Sequence, residues 1–434
     1  MNLHSVMWNS LSKLEQHALL KRPAQRNADA VASGARRIIE QVRREGDAAL
    51  LELTEKFDAV RLEGLQVSAA EFRAAEAALI PEQHAALEQA ITNIRAFHAA
   101  QTPLPIRLET TPGVVCERIS VPIRAVGLYV PAGSAPLPST AVMLAVPAAI
   151  AGCPTRIMCT PPGRSGTANA AVLAAARKAG VEQVFKVGGA QAVAAMAYGT
   201  ASIAKCDKIF GPGNAWVTAA KLLVSQDSAG AAADLPAGPS EVMVIADANA
   251  DPGFVAADLL AQAEHSVDAQ ALLVTPSAAL AEVAAREVSR QAPLLSRGDI
   301  LSESLQSIRL IITDDLDSAF DIANTYAPEH LLLQIRDARD WLPRVSAAGA
   351  VFLGHWSPES IGDYCGGPNH TLPTYGYARC YSGLCLEDFQ KRISVSELSP
   401  QGLKRLGPTA QVLSRLEGLD AHAAAVSIRL AALT

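Results

Sequence analysis

Apolar and polar positions along this chain follow two different periods in turn. From Ala28 to Phe57, and again from about Ser68 to Ala100, apolar residues recur every three or four positions, which predicts amphipathic helices. Beyond this lead-in, short apolar runs alternate with Ala-rich segments of helical spacing, and Gly or Pro closes each run. We predict strands at Ala125–Val130, Arg156–Cys159, Gln183–Val187, Lys208–Phe210, Glu241–Ala246, Ala271–Val274, Arg309–Ile312, Leu331–Gln334 and Ala350–Leu353.

The segments between these runs have the spacing of helices. They include Ala168–Ala179, Ala190–Ala197, Ala215–Gln226, Phe254–His265 and Ala278–Gln291. Strand and helix in regular alternation predict an α/β fold, in which helices cover both faces of a parallel sheet. Asp234–Ser240 is a candidate hinge between two such units. Tyr364–Ser382 has the composition of an irregular loop, and Gly402–Leu433 is helical again.

Composition narrows the class of protein. Half of the 434 residues are hydrophobic and 18% are charged, which excludes a disordered chain. The net charge of −6 argues against a nucleic-acid partner. The longest apolar segment, Ala141–Cys153, is interrupted by Pro147, so we predict no membrane span. Met1–Lys13 has no signal-peptide pattern and the seven cysteines form no C-x-x-C pair, so we expect a cytoplasmic enzyme without disulfides.

Three glycine-containing turns follow predicted strands. They are Tyr129–Gly133, Gly188–Gln191 and Gly211–Asn214, and the last two open predicted helices. Glycine allows a phosphate close to the backbone, and a helix N-terminus supplies free N–H groups. The sequence contains no G-x-G-x-x-G, so an ordinary strand-to-helix connection remains the alternative for each turn.

Other residues are candidates for metal binding and proton transfer. Gln262 and His265 lie three positions apart on one predicted helix face and are candidate zinc ligands; a polar helix end is the alternative. Glu329 and His330 precede a strand and offer two proton-transfer groups, unless they are an ordinary strand-start pair. Asp363, in the Gly- and Pro-rich run 357–370, is a further candidate ligand.

The C-terminal helical segment contains two further polar residues. Glu417 and His422 lie five positions apart, so one helix does not present both on the same face. Two solvated helix residues are the simpler interpretation of this pair.

In their order along the chain, these motifs resemble those of the histidinol dehydrogenase family. The resemblance covers essentially the whole chain and is carried by YVP at 129–131, GGAQA at 188–192, GPGN at 211–214, PAGPSE at 236–241, QAEH at 262–265, APEHL at 327–331, GDYxxGPNHTLPT at 362–374, and Glu417 with His422. It implies oxidation of L-histidinol through L-histidinaldehyde to L-histidine with two NAD. It also implies a zinc-containing homodimer with two Rossmann-like domains and small helical terminal segments.

The resemblance further implies domain boundaries and residue roles. It implies an N-terminal segment 1–25, a catalytic zinc domain of 26–110 with 236–381, an NAD-binding domain 111–235 and a C-terminal tail 382–434 that crosses to the partner. The implied roles are zinc ligation by Gln262, His265, Asp363 and His422, catalysis by Glu329 and His330, NAD contacts by Tyr129, Gln191 and Asn214, and substrate contacts by Ser240, Glu417, His330 and the zinc ligands.

The implied chemistry leaves several alternatives open. His330 is expected to act as base, and Glu329 to activate water for the second oxidation, with a thiolate from Cys116 or Cys153 as the alternative. Ala132 and Leu137 depart from the family pattern near the expected NAD site, and we assign no acidic residue to a ribose 2′-hydroxyl. A zinc hydrolase and a non-enzymatic nucleotide-binding protein are the competing functions.

Overall fold

The computed structural model describes residues 3–22, 28–132, 135–236 and 238–433. Its strands are β1 (Ser5–Met7), β2 (Ile106–Thr111), β3 (Val114–Pro122), β4 (Ala125–Tyr129), β5 (Thr155–Thr160), β6 (Gln183–Lys186), β7 (Lys208–Phe210), β8 (Ala232–Ala233), β9 (Glu241–Ala246), β10 (Gln270–Thr275), β11 (Arg309–Ile312), β12 (His330–Gln334), β13 (Ala350–Leu353) and β14 (Gln390–Leu398). Its α-helices are α1 (Lys13–Leu19), α2 (Ala28–Glu45), α3 (Asp47–Asp58), α4 (Ala69–Ala78), α5 (Pro81–Ala99), α6 (Pro138–Ile150), α7 (Ala170–Lys178), α8 (Gly189–Tyr198), α9 (Ala215–Ser225), α10 (Pro252–Ala263), α11 (Ala278–Gln291), α12 (Gly298–Ser304), α13 (Leu316–Tyr326), α14 (Ala338–Trp341), α15 (Glu359–Tyr364), α16 (Pro400–Leu416) and α17 (Asp420–Ala431).

Two parallel sheets form the framework of the described residues. The first has the order β6-β5-β4-β7-β8, and the second the order β1-β11-β10-β9-β12-β13. If β1 is set aside, each sheet begins at a central strand and has the order 3-2-1-4-5 of a doubly wound fold. Strands β9 and β10 are buried along their whole length, as their uninterrupted apolar sequences predict for strands covered on both faces. The predicted α/β fold is confirmed.

The lead-in helices pack on the five-stranded sheet. Apolar residues of α2 and α3, such as Ile39 and Leu50, share a core with α8 and α9 on one face. Residues of α4 and α5, such as Phe72 and Ile94, share a core with α6 and α7 on the other face. The expected grouping of 26–110 with 236–381 stays a prediction, and the packing of these helices favours placing them with the five-stranded sheet. An apolar stripe identifies the buried face of a helix and leaves open which sheet will cover it.

The segment nearest the N-terminus joins the other sheet. β1 pairs in parallel with β11, so residues 5–7 extend the six-stranded sheet at its edge. Residues 23–27, which contain the expected boundary at 25, lie outside the described residues.

A third, antiparallel sheet and two helices form the C-terminal part. Strand β14 pairs with β3, which pairs with β2, and these strands are largely exposed. The predicted helix Gly402–Leu433 is two helices, α16 and α17, because the chain turns at Gly418 with a φ of +70°. Apolar side chains of both helices, including Leu416 at 78% and Ile428 at 70%, are exposed in the single chain.

Helix length and apolarity also address the membrane prediction. Within the described ranges, none of the helices combines the length and the apolar character that a bilayer crossing requires.

Candidate active site

A cleft of about 910 Å³ lies between the two parallel sheets. One wall is formed by turns after strands of the five-stranded sheet, and the opposite wall by residues at the start of the six-stranded sheet. Six of the lining residues are Tyr129, Gly189, Gln191, Asn214, Ser240 and His265. The carboxyl ends of one sheet thus face the amino ends of the other. A doubly wound sheet usually binds its ligand at the carboxyl ends of its strands, as the five-stranded sheet does at this cleft. The six-stranded sheet instead presents the amino ends of its strands to the cleft.

The helices that follow β9 and β13 bring the candidate ligands to the amino ends of the strands of the six-stranded sheet. In a parallel sheet the helix after a strand runs back, so its C-terminus lies near the amino ends of the strands. Gln262 and His265 lie at the end of α10, which follows β9. Asp363 lies on α15, which follows β13. The structure therefore places all three near Glu329 and His330.

One peptide unit fixes the Glu329–His330 pair. The backbone N–H of Glu241 donates to Oε2 of Glu329 over 2.9 Å. The backbone carbonyl of Glu241 lies 3.2 Å from Nδ1 of His330. Both side chains are buried, so these contacts hold them where water does not compete.

Three carboxylates surround the His330 imidazole. Nδ1 lies 3.4 Å from Glu359 Oε1 and 3.8 Å from Glu329 Oε2, and Nε2 lies 3.5 Å from Asp363 Oδ1. Burial alone would lower the pKa of His330, but the carboxylates of Glu359 and Glu329 offset it and hold this pKa well above its usual value. Burial raises the pKa of Glu329 to about 8. The cluster therefore contains groups that can take up and release protons near neutral pH.

The same cluster has the donor set of a zinc site. One ligand atom from each of His265, Glu359 and Asp363 lies within 4.8 Å of the other two. Imidazole nitrogen and carboxylate oxygen suit zinc, and Gln262 lies fully buried beside them. Oε2 of Glu359 is buried without a hydrogen-bond partner among the described residues, which is costly unless a further group binds there. The residues present therefore fit a metal ion.

Glu359 is the residue of this cluster that the sequence interpretation missed. Glu359 is buried. When the side-chain amide of Gln262 is oriented with its nitrogen toward Glu359, this nitrogen lies 3.2 Å from Glu359 Oε1 and 3.2 Å from the Glu241 carbonyl. Its four-residue spacing from Asp363 places the two on one face of α15, and this spacing was the available signal.

The glycine turns are held on the opposite wall. The hydroxyl of Tyr129 accepts a hydrogen bond of 3.0 Å from the Gly189 N–H, which joins the ends of two strands. Gly211 has a φ of +122°, and a Cβ there would collide with the Tyr129 carbonyl. The Asn214 side chain caps α9 through the Trp216 and Val217 N–H groups, at 3.0 and 3.2 Å.

A buried ion pair supports the Gly211 turn from behind. Lys221 pairs with Asp234 and donates to the Gly211 carbonyl over 2.9 Å. Asp234 in turn accepts from the Gly211 N–H over 2.8 Å. The turn is thus held through both the N–H and the carbonyl of Gly211.

Two predicted site residues belong neither to the described cleft wall nor to the cluster around His330 within one chain. Glu417 and His422 are exposed at the junction of α16 and α17, and neither is among the described residues that line the cleft. Ala132 and Leu137, the departures from the family pattern, do line it.

Neither alternative thiol lies in the described wall of the cleft. Cys153 is buried, donates to the Phe389 carbonyl over 3.4 Å, and has its pKa raised to about 11 by burial. Cys116 lies on β3 of the antiparallel sheet. The residues of this chain therefore favour water over a thiolate as the nucleophile.

The glycine turns of a doubly wound sheet line one wall of the cleft, and His265, which belongs to the cluster with the buried Glu329–His330 pair, lines the other. This combination is typical of an α/β dehydrogenase. The family model for histidinol dehydrogenase matches residues 20–430. The chain belongs to the histidinol dehydrogenase family, the oxidoreductases of the final steps of histidine biosynthesis.

Individual relatives support this assignment over the full length. The chain is 53% identical over 432 residues to histidinol dehydrogenase from Vibrio parahaemolyticus, covering 100% of this chain and 99% of the relative. It is 54% identical over 427 residues to that of Xanthomonas axonopodis pv. citri, covering 98% of each. The crystal structure of histidinol dehydrogenase from Elizabethkingia anophelis has a TM-score of 0.94 at 42% identity, covering 99% of this chain and 98% of that one.

Proposed function

We propose that this chain oxidises L-histidinol through L-histidinaldehyde to L-histidine, using two NAD and a bound zinc ion. The observation that carries the proposal is that His265 lines the cleft across from the Tyr129 and Gly189 turns. His265 also belongs to one cluster with Asp363, whose carboxylate lies beside His330 and Glu329. A hydride can pass directly between two molecules only if both are held in one such cleft.

His330 takes the alcohol proton in the first oxidation. As the hydride leaves carbon for the nicotinamide, the alcohol oxygen must lose its proton, and the imidazole accepts it in its neutral form, which the raised pKa of His330 shifts to higher pH. The Glu241 carbonyl beside Nδ1 fixes the ring, and Nε2 faces the Asp363 carboxylate at 3.5 Å. Nε2 is therefore the nitrogen that receives the proton, and Asp363 stabilises the resulting imidazolium.

Glu329 prepares the second oxidation. An aldehyde yields a second hydride only after water has added to its carbonyl, and a carboxylate can take a proton from that water. The pKa of about 8 makes Glu329 a better proton acceptor, once ionised, than an ordinary glutamate. His330 then accepts the hydroxyl proton of the hydrated aldehyde, as in the first step.

Gln262, His265 and Asp363 would hold the zinc ion, with His422 as the fourth ligand. Bound zinc would supply a Lewis acid that binds the imidazole and amine of the substrate and orients them. Ser240, which lines the cleft, and Glu417 would contact the substrate, while Tyr129, Gln191 and Asn214 would contact NAD.

The exposed tail supports a homodimer in which each chain completes the partner's site. Glu417 and His422 lie outside the cleft of their own chain, and exposed apolar residues surround them on α16 and α17. Burial of these residues against a second copy would place both polar groups at the other active site. We propose that residues 382–434 form this tail. Residues 111–235, together with α2–α5, would form the NAD-binding unit. The location that we propose is the cytoplasm.

The deciding experiment measures NADH formed per L-histidinol at limiting substrate, with and without a chelator. Two NADH per substrate, lost on chelation and restored by zinc, are expected. One NADH would contradict the role of Glu329 in the second step. No NADH with zinc present would contradict the proposal; zinc-dependent hydrolysis would then favour the hydrolase, and NAD binding without turnover a nucleotide-binding protein.

A further inference from the structure

A half-buried carboxylate from the lead-in helices lines the side of the cleft that carries the glycine turns. Asp58, the last residue of α3, lines it together with Ile38, Phe57 and Tyr129. Its Oδ2 is buried and has no hydrogen-bond partner among the described residues. A buried carboxylate oxygen without a donor is costly, so its presence beside an open cleft indicates a ligand that donates hydrogen bonds.

Strand order identifies which part of a dinucleotide this oxygen would meet. Tyr129, Pro161 and Gly189 follow β4, β5 and β6 and line the cleft with Asp58. These are strands 1, 2 and 3 of the 3-2-1-4-5 order, the half of a doubly wound sheet that receives the adenosine.

In that half, an acidic residue commonly accepts hydrogen bonds from the adenosine ribose. In this chain Thr160 ends the second strand, and Pro161 and Pro162 follow it, so the strand supplies no carboxylate. Asp58 supplies one at the same wall from a different element.

The surroundings of Asp58 suit hydroxyl groups better than a cation or a phosphate. Phe57 and Ile38 beside it are apolar, and burial raises the pKa of the Asp58 carboxyl with no described cation to offset it. Two ribose hydroxyls can donate to one carboxylate, whereas a phosphate brings a like charge into a desolvated wall.

We propose that Asp58 accepts hydrogen bonds from the adenosine ribose hydroxyls of NAD and thereby selects NAD over NADP. The 2′-phosphate of NADP would replace the donor with a negative group facing this carboxylate. The inference rests on the proposed NAD-dependent function and names its cofactor-selecting residue.

The test uses the full-length protein and equilibrium binding in the absence of histidinol. Dissociation constants for NAD, 2′-deoxy-NAD and NADP are measured by titration calorimetry for the wild type and for Asp58→Asn and Asp58→Ser. Glu55→Gln, an exposed acid one turn earlier on α3, is the matched control. Thermal unfolding of each variant reports folding separately.

Both Asp58 variants should weaken NAD binding by about tenfold or more, the usual effect of losing a hydrogen bond to a charged group. They should weaken 2′-deoxy-NAD binding less than NAD binding, because only the 3′-hydroxyl of this analogue can donate to Asp58, and they should narrow the preference for NAD over NADP. Glu55→Gln should change none of the three constants. Equal loss for NAD and 2′-deoxy-NAD, or unchanged NAD binding, would overturn the proposal.

The wild-type protein separates this inference from the proposed function. Two NADH per histidinol together with unaltered nucleotide preference in Asp58→Ser would overturn the role of Asp58 alone. A wild type that binds neither nucleotide would overturn both.

Discussion

Arg22 and Glu241 form a buried ion pair directly behind the Glu329–His330 pair. Nη2 of Arg22 lies 2.8 Å from Oε2 of Glu241, its Nε bonds the other carboxylate oxygen, and the guanidinium stacks 3.9 Å from the Tyr326 ring centroid. Because the Glu241 backbone contacts both Glu329 and His330, a residue near the N-terminus holds the proton-transfer groups through one intermediate.

Replacement of Arg22 should therefore affect stability and catalysis together. Arg22→Met leaves the Glu241 carboxylate buried without its charge partner, and we expect a loss of about 3–5 kcal/mol in the free energy of unfolding. Arg22→Lys keeps the charge without the two-point contact and should lose less. Urea unfolding and kcat measure the two effects.

The matched control is Arg286→Met, which removes an exposed pair with Glu282 at 2.6 Å. Arg286→Met should lower the free energy of unfolding by less than about 1 kcal/mol and leave kcat unchanged. Equal losses in the two methionine variants would contradict the positioning role of Arg22.

Glu359 should set the pH at which His330 loses its proton. Its carboxylate favours the imidazolium, so Glu359→Gln should lower the pKa of His330. A base that is neutral at lower pH extends activity downward, so the acidic limb of the pH profile of kcat/KM should move by about one unit toward lower pH. The measurement needs zinc content determined in parallel, because Glu359 also lies in the metal cluster. A limb that stays in place at equal zinc content would refute the assignment.

The ion pair behind the Gly211 turn should govern cofactor binding more than chemistry. Lys221→Met removes the donor to the Gly211 carbonyl and leaves Asp234 without its cation. We expect the KM for NAD to rise about tenfold, with a smaller change in kcat. Lys205→Met is the control, because Lys205 also donates to a backbone carbonyl, that of Ala229, at an exposed position. A fall in kcat at unchanged KM would be inconsistent with this role.

Asp258 should make the protein less stable as the pH rises. Burial raises its pKa to about 7, although Gln334 donates to it, whereas in the unfolded chain it titrates near the ordinary aspartate value. The folded state thus binds the extra proton, and its stabilising effect is complete below about pH 4 and lost as the pH rises through about 7.

Asp258→Asn removes this dependence. The difference in free energy of unfolding between the variant and the wild type should become more favourable to the variant from pH 5 to pH 7.5. The full change across the titration of Asp258 is roughly 4 kcal/mol at most. Urea midpoints at the two pH values measure it, with the exposed Asp299→Asn as control. A gain that is the same at both pH values would contradict the buried-proton interpretation.

Most of the parallel strands were predictable because burial on both faces leaves an apolar run, whereas the short edge strands β1 and β8 are partly exposed and were not predicted. Glu241–Ala246 and Arg309–Ile312 begin and end where predicted. The antiparallel strands β2, β3 and β14 escaped prediction because β2 and β14 are largely exposed and β3 is only partly buried, so none of them forms an uninterrupted apolar run.

The site was predictable where motifs are continuous in sequence. Gln262 with His265, and Glu329 with His330, are such pairs. Arg22 and Asp58 were missed because their contacts are with residues distant in sequence, which a single charged residue does not reveal. Glu359 was missed although its spacing from Asp363 was a local signal.

The two cores beside the five-stranded sheet contain residues from the start of the chain. Helices α2–α5 share these cores with α6–α9, so a fragment of 111–235 would expose apolar surfaces to water and aggregate. Residues 111–235 therefore do not form an independently folding unit, although their strands are contiguous. During synthesis α2–α5 leave the ribosome before α6–α9, and their apolar faces stay exposed until most of 111–235 has emerged.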